Sequence, residues 1–201
     1  MGQTIFFFSL AWCAFFLSLK SFKRRGKGVT PPWKLSRAEV KGVFYNFTFL
    51  MSPFFKESAR LYPKKFILGL GMHGGVVLAL LLPLLWPLFE EGWMNSLAAM
   101  ATLTAAHFAM ALLFFRIRDR ELRAISIFDD YASLLLTMFL LGSATLHLVL
   151  KTAATNDILL MSASLIFFAM PFGKLKHALF FFLVRYDYGT LLGKRGVFKN
   201  E

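Results

Sequence analysis

Residues 66–89 read FILGLGMHGGVVLALLLPLLWPLF, an apolar run with no Asp, Glu, Lys or Arg and with one histidine, His73. A helix needs about 20 such residues to cross the hydrocarbon core of a bilayer, so this stretch reads as a membrane span. Four more long, predominantly apolar runs occur at 4–22, 93–115, 128–150 and 158–184. The last is interrupted by Pro171-Phe172-Gly173, where a kink is expected. The sequence therefore predicts an all-α membrane protein: a five-transmembrane-helix bundle, residues 1–201 forming one domain with an amphipathic loop at 23–65.

Composition agrees. Apolar residues make up 57% of the 201, aromatics 17% with 25 Phe, and charged residues 17%, where a soluble domain carries about 25% charged residues. The net charge of +12 would suit nucleic acid, but its distribution points elsewhere. Of the 23 Lys and Arg, 12 lie in 20–65, 4 in 116–123 and 6 from Lys174 onward, leaving only Lys151 for the opposite loops. Basic residues concentrate on the cytoplasmic side of membrane proteins, which places the N-terminus outside and the C-terminus in the cytoplasm. Anionic lipid headgroups account for the basic face, and no nucleic-acid partner is expected.

The first span does not read as a cleaved signal peptide, because Met1-Gly2-Gln3-Thr4 carries no basic side chain and Lys20, Lys23, Arg24, Arg25 and Lys27 follow the apolar run. Cys13 is the single cysteine, which excludes intrachain disulfides and a cysteine-ligated iron–sulfur cluster of the chain's own. In the 23–65 loop, Ser36 and Glu39 have capping-box spacing and predict a helix start. The apolar run from Val43 to Met51 is too short to cross and is expected to lie in the interface plane, with Pro53 ending it. It is either a lipid anchor or a docking surface, and Phe44, Phe47 and Phe54 are the residues expected to touch headgroups or a soluble partner.

The four histidines all fall within apolar spans, where an ionisable side chain marks a functional candidate. At about 1.5 Å of rise per residue, His73 should lie about 10 Å from the inner boundary, His177 about 8 Å and His107 about 12 Å. His147 comes out about 5 Å from the outer boundary. A depth-matched pair on different helices, His73 and His177, can hold a metal or a haem between two imidazoles. Gly69, Gly71, Gly74 and Gly75 around His73 leave room for a flat macrocycle or, alternatively, for a close helix contact. Lys65, Lys174 and Arg185, with Lys64 and Lys176, supply cations for haem propionates. His107 reads as an interhelical hydrogen-bonder or a substitute ligand, and His147 as a structural residue or part of a quinone pocket. Asp129-Asp130 reads as a helix cap rather than a catalytic dyad. No phosphate loop, zinc spacing or nucleophile elbow occurs.

Three segments carry a resemblance. Pro171-Phe172-Gly173-Lys174-Leu175-Lys176-His177, with Arg185-Tyr186 beyond, resembles the last helix of the respiratory nitrate reductase gamma subunit family. Residues 66–77, with His73-Gly74-Gly75, resemble that family's second helix, and residues 123–131 resemble its turn before helix four. Ser52-Pro53-Phe54-Phe55-Lys56 is similar to relatives that accompany heterodisulfide-reductase-like iron–sulfur proteins. The family typically carries two haems b, each between a histidine of helix two and one of helix five. By that pattern His73 and His177 match the inner pair. The outer pair is missing, because Pro83 and Leu159 stand at its positions. His147 with Met94 or Met161 is left as the one nonstandard outer site.

The resemblance implies a haem-b subunit of a membrane quinone oxidoreductase, in the cytoplasmic membrane of a bacterium or archaeon, with one haem expected and a second not. Menaquinone would be the substrate, and the partners would be iron–sulfur or multihaem cytochrome subunits. The alternative is a haem-free membrane anchor that assembles such a complex.

Overall fold

The computed structural model describes residues 2–24, 31–52, 57–90 and 92–197. Every regular element among them is helical: α1 (Gly2–Arg24), α2 (Arg37–Phe47), α3 (Glu57–Leu61), α4 (Pro63–Phe89), α5 (Trp93–Arg118), α6 (Arg120–Ile125), α7 (Phe128–Leu150), α8 (Ala153–Ala169) and α9 (His177–Lys194), with short 3-10 turns between some of them. Four stretches, Gly2–Phe22, Pro63–Phe89, Trp93–Arg118 and Phe128–Leu150, are long and apolar enough to cross a membrane. The chain is a helical, multi-pass membrane protein.

The fifth expected span differs. Instead of one helix over 158–184 there are two, α8 and α9, separated at Met170–Lys176. Pro171 has no N–H to continue the ladder. The amides of Phe172 and Gly173 both turn back to the Ala169 carbonyl, at 3.1 and 3.3 Å. The Lys174 amide then donates to Asp129 Oδ2 at 2.6 Å. A Cβ on Gly173 would lie 2.8 Å from Asp129 Oδ1, so this turn needs glycine to sit against the start of α7. α8, an apolar helix of 17 residues, is about 25 Å long.

The chain gathers into two compact units, Met1–Ala14 with Lys64–Leu175 and Phe15–Pro63 with Lys176–Glu201. In the first, α8 is the core helix and buries Leu159, Leu160, Ser162, Ala163, Ser164, Ile166 and Phe167. α1 turns Phe6, Ser9 and Cys13 inward at helical spacing, with the Phe6 ring edge-on to Phe167 at 5.8 Å. α4 and α5 approach closely because Gly75 meets Ala105: a Cβ there would come within 2.1 Å of the Ala105 Cβ. Buried hydroxyls join the helices, Thr145 to Thr102 at 2.9 Å and Ser143 to Ser162 at 2.6 Å. Such bonds hold membrane helices together where apolar burial gives no preference for protein over lipid. α4 departs from helical geometry at Leu85 (φ −115°, ψ 21°), between Pro83 and Pro87, where proline rings displace preceding carbonyls.

The second unit packs α2 on α9 through glycines. A Cβ on Gly42 would meet the Gly189 carbonyl oxygen at 2.2 Å, and one on Gly193 would meet the Ala38 carbonyl oxygen at 2.5 Å. The capping box expected at Ser36 is present: the Glu39 amide donates to Ser36 Oγ at 3.3 Å, and the Ser36 amide to Glu39 Oε2 at 2.8 Å. α2 ends at Phe47, with a 3-10 turn at Phe49–Met51. Pro53, Phe54 and Phe55, together with Arg25, Lys27 and Glu91, lie outside the described residues.

Candidate functional site

Two histidine environments stand out in the first unit. The first is the outward side of α4, where Leu70, His73, Gly74, Val77 and Leu81 are exposed at three- and four-residue spacing. The four glycines around His73 divide by role. Gly71 and Gly75 are required by packing, since a Cβ on Gly71 would press to 2.5 Å from the Phe108 ring and one on Gly75 would meet Ala105. Gly69 and Gly74 have nothing within 4 Å of a built Cβ. An imidazole flanked by two glycines that no helix contact demands is a shape that fits a flat ring lying along the helix.

The cations expected beside it have protein acceptors. Lys65 Nζ lies 2.8 Å from Asp119 Oδ2. Lys174 Nζ is 2.7 Å from Asp130 Oδ2, whose other oxygen takes Arg116 at 3.1 Å. The Lys65 ammonium holds the Asp119 carboxyl below the usual carboxylate range, helped by the Leu122 amide. In the second unit, His177 is the first residue of α9 and is exposed. Arg185, two turns further along α9, donates to Asn46 Oδ1 at 2.9 Å and stands over the Phe181 ring at 5.6 Å. The break falls before His177, and residues 177–184, along which its depth was counted, lie within α9. Its pairing with His73 is the resemblance's expectation. His107, exposed on α5, places Nδ1 2.8 Å from the Leu103 carbonyl of its own helix.

The second environment is a cavity of about 610 Å³ where the ends of α4 and α7 meet the starts of α1 and α8. Pro83, Trp86, Glu90, His147, Lys151, Thr152, Asn156 and Leu159 line it, with Phe6, Phe7 and Gln3 from α1. His147 is 4% exposed, its Nδ1 lies 3.1 Å from Thr155 Oγ1, and its ring centroid is 4.3 Å from that of Trp86. Lys151 closes α7 in a left-handed conformation (φ 52°), and its ammonium donates to the Glu90 carbonyl. Aromatic and aliphatic walls with a few converging polar groups are what a site for a flat organic ring requires. Neither Met94 nor Met161 is among the residues lining this cavity. Trp86 and Thr155 were not singled out from sequence. A signal existed: Trp86 and His147 each stand three residues before the end of their helices, hence at similar depth.

Pro83 and Leu159, the positions at which the resemblance would place the outer haem's histidines, both line this cavity and neither carries a ligand. Fold and site together define a helical multi-pass membrane protein with an open histidine face on α4 and a histidine-lined cavity at one end of its bundle. No protein-family model, curated protein or solved structure matches the chain.

Proposed function

We propose that the chain is the haem-b membrane subunit of a respiratory redox complex, exchanging electrons between menaquinone and a docked partner, an iron–sulfur protein on the cytoplasmic side. The observation that carries the reading is the meeting of Pro83 and Leu159 at one cavity. Two positions that the resemblance pairs across α4 and α8 share a space, which supports the correspondence used for His73 and His177. A haem b bound between those two imidazoles would supply a one-electron centre. His73 offers its ring from the open face of α4, with Gly69 and Gly74 leaving room for the macrocycle edge. Lys65, Lys174 and Arg185 would supply the cations that haem propionates need.

The cavity at His147 suits the quinone. Its headgroup would lie against Trp86, as the imidazole of His147 does at 4.3 Å. Its carbonyl oxygens would accept from the Lys151 ammonium, the Asn156 amide or the His147 ring. With Nδ1 held at Thr155, Nε2 is the ring nitrogen left to donate a proton to a reduced headgroup or take one from it. A haem-free anchor is the second reading. The engagement of Lys65, Lys174 and Arg185 by protein acceptors favours it.

A pyridine haemochrome measurement on the purified chain separates the two. One haem b per chain is expected, lost in His73→Ala and in His177→Ala and retained in His107→Ala. A chain without Soret absorbance establishes the anchor reading. A haem that survives loss of His177 but not of His107 overturns the ligand assignment.

A further inference from the structure

α2 is inside out. Helical spacing of about 100° per residue puts Glu39, Gly42 and Asn46 on one face and Arg37, Val40, Lys41 and Phe44 on the other. A helix at the surface of a soluble protein buries its apolar face and exposes its polar one. Here polar side chains are buried and apolar ones exposed: Glu39 is 6% exposed and Asn46 0%, while Val40 is 51% and Phe44 69% exposed, beside exposed Arg37 and Lys41.

The buried polar groups are well served. Glu39 accepts from the Ser36 amide at 2.8 Å and faces Lys194 Nζ at 3.9 Å. Asn46 bonds the Arg185 carbonyl through its amide nitrogen and the Arg185 guanidinium through its oxygen. The glycine contact at Gly42 sets α2 flush against α9, so the polarity of the inward face follows from specific pairing. The outward face is exposed along its length, at Arg37, Val40, Lys41 and Phe44. Val40 and Phe44 share this face with exposed Arg37 and Lys41, and exposed Trp33 and Lys34 stand just before the helix.

We infer that this face is a docking surface for an anionic lipid leaflet: Phe44, Val40 and Trp33 enter the headgroup and upper acyl region, while Arg37, Lys41 and Lys34 meet lipid phosphates. Charge decides the occupant. The one carboxylate of α2, Glu39, is turned inward, so every charge on the outward face is positive. Apolar side chains interleaved with cations are the pattern of helices that lie in the interface plane, and Lys and Arg beside a leaflet are drawn to its anionic lipids. The chain also delivers α2 there, since α1 and α4, on either side of it in sequence, each contain a stretch able to cross the membrane.

The test uses the full chain with Cys13→Ser, carrying a nitroxide at Phe44→Cys or Val40→Cys, in nanodiscs of phosphatidylcholine alone or mixed with phosphatidylglycerol. In the mixed bilayer the label should become several-fold more accessible to oxygen than to a water-soluble nickel chelate. Added Arg37→Gln and Lys41→Gln substitutions, at exposed positions that leave the α9 contact intact, should cancel the effect of phosphatidylglycerol. A label equally open to the chelate in both bilayers overturns the assignment, as does insertion that ignores phosphatidylglycerol. Shielding of the label only when a soluble protein subunit is added would make this a protein interface and overturn it as well.

Discussion

Single glycines separate packing from function along α4. Gly75 is where α4 and α5 touch, and a methyl added there would stand 2.1 Å from the Ala105 Cβ. Gly75→Ala should therefore destabilise the protein by about 1–3 kcal/mol, the usual cost of overpacking a close contact, read as a lower thermal midpoint in detergent. Gly69 has nothing within 4 Å of a built Cβ, so Gly69→Leu should leave that midpoint within the small range of surface substitutions, about 0.5 kcal/mol. On the haem reading the same leucine fills the open face beside His73, and Soret absorbance should fall while the fold persists. Loss of fold in Gly69→Leu would show that the face is covered.

Among elements, the connection from α5 to α7 is organised by one carboxylate. Asp119 closes α5 and caps α6, accepting from the Glu121 amide at 3.1 Å and the Leu122 amide at 3.4 Å, and it also takes Lys65 of α4 at 2.8 Å. The Lys65 hydrogen bond comes first among the causes that lower its pKa. A carboxyl whose pKa is lower folded than unfolded stabilises the fold above the ordinary carboxylate value, about 3.9. That stabilisation fades as pH falls through the lowered folded value. Asp119→Asn should thus unfold at a lower temperature than the parent at neutral pH, with the gap closing as pH is taken below the carboxylate range. A gap that stays constant with pH would mean the side chain acts through packing alone. The break between α8 and α9 belongs to this scale too. Pro171 and Gly173 were legible as an interruption, but the separation into two helices was not. It depends on Asp129 accepting the Lys174 amide, a partner forty-five residues away in sequence.

For the whole molecule, the decisive quantity is the sidedness of charge. With 22 of 23 basic residues assigned to one face, a reporter fused after Glu201 should be active only if it works in the cytoplasm. A periplasmic reporter signal would overturn the orientation expected from the charges. Within the first unit the ends do differ in charge. Arg116 and Lys174 gather with Asp130 at the start of α7, whereas among the described residues Lys151 is the only Lys or Arg lining the cavity at the end of α7.

The sequence alone determined the class of this protein, because a span is recognised from its own residues: an uncharged apolar run of sufficient length has few other stable places to go. It also determined the start of α2, since a capping box is made by side chains three residues apart and needs no tertiary partner. What a helix does on its separate faces depends on neighbours distant in the chain, and only the tertiary structure decided it. Gly71 and Gly75 look like Gly69 and Gly74 until Phe108 and Ala105 are placed beside them. His147 gains its cavity only when Trp86 and Thr155 arrive from other helices. The Val43–Met51 run reads as apolar in sequence, yet Glu39 and Asn46 are the α2 side chains buried while Val40 and Phe44 stay outside. That arrangement exists because glycine contacts and the Asn46–Arg185 bonds fix which face turns inward.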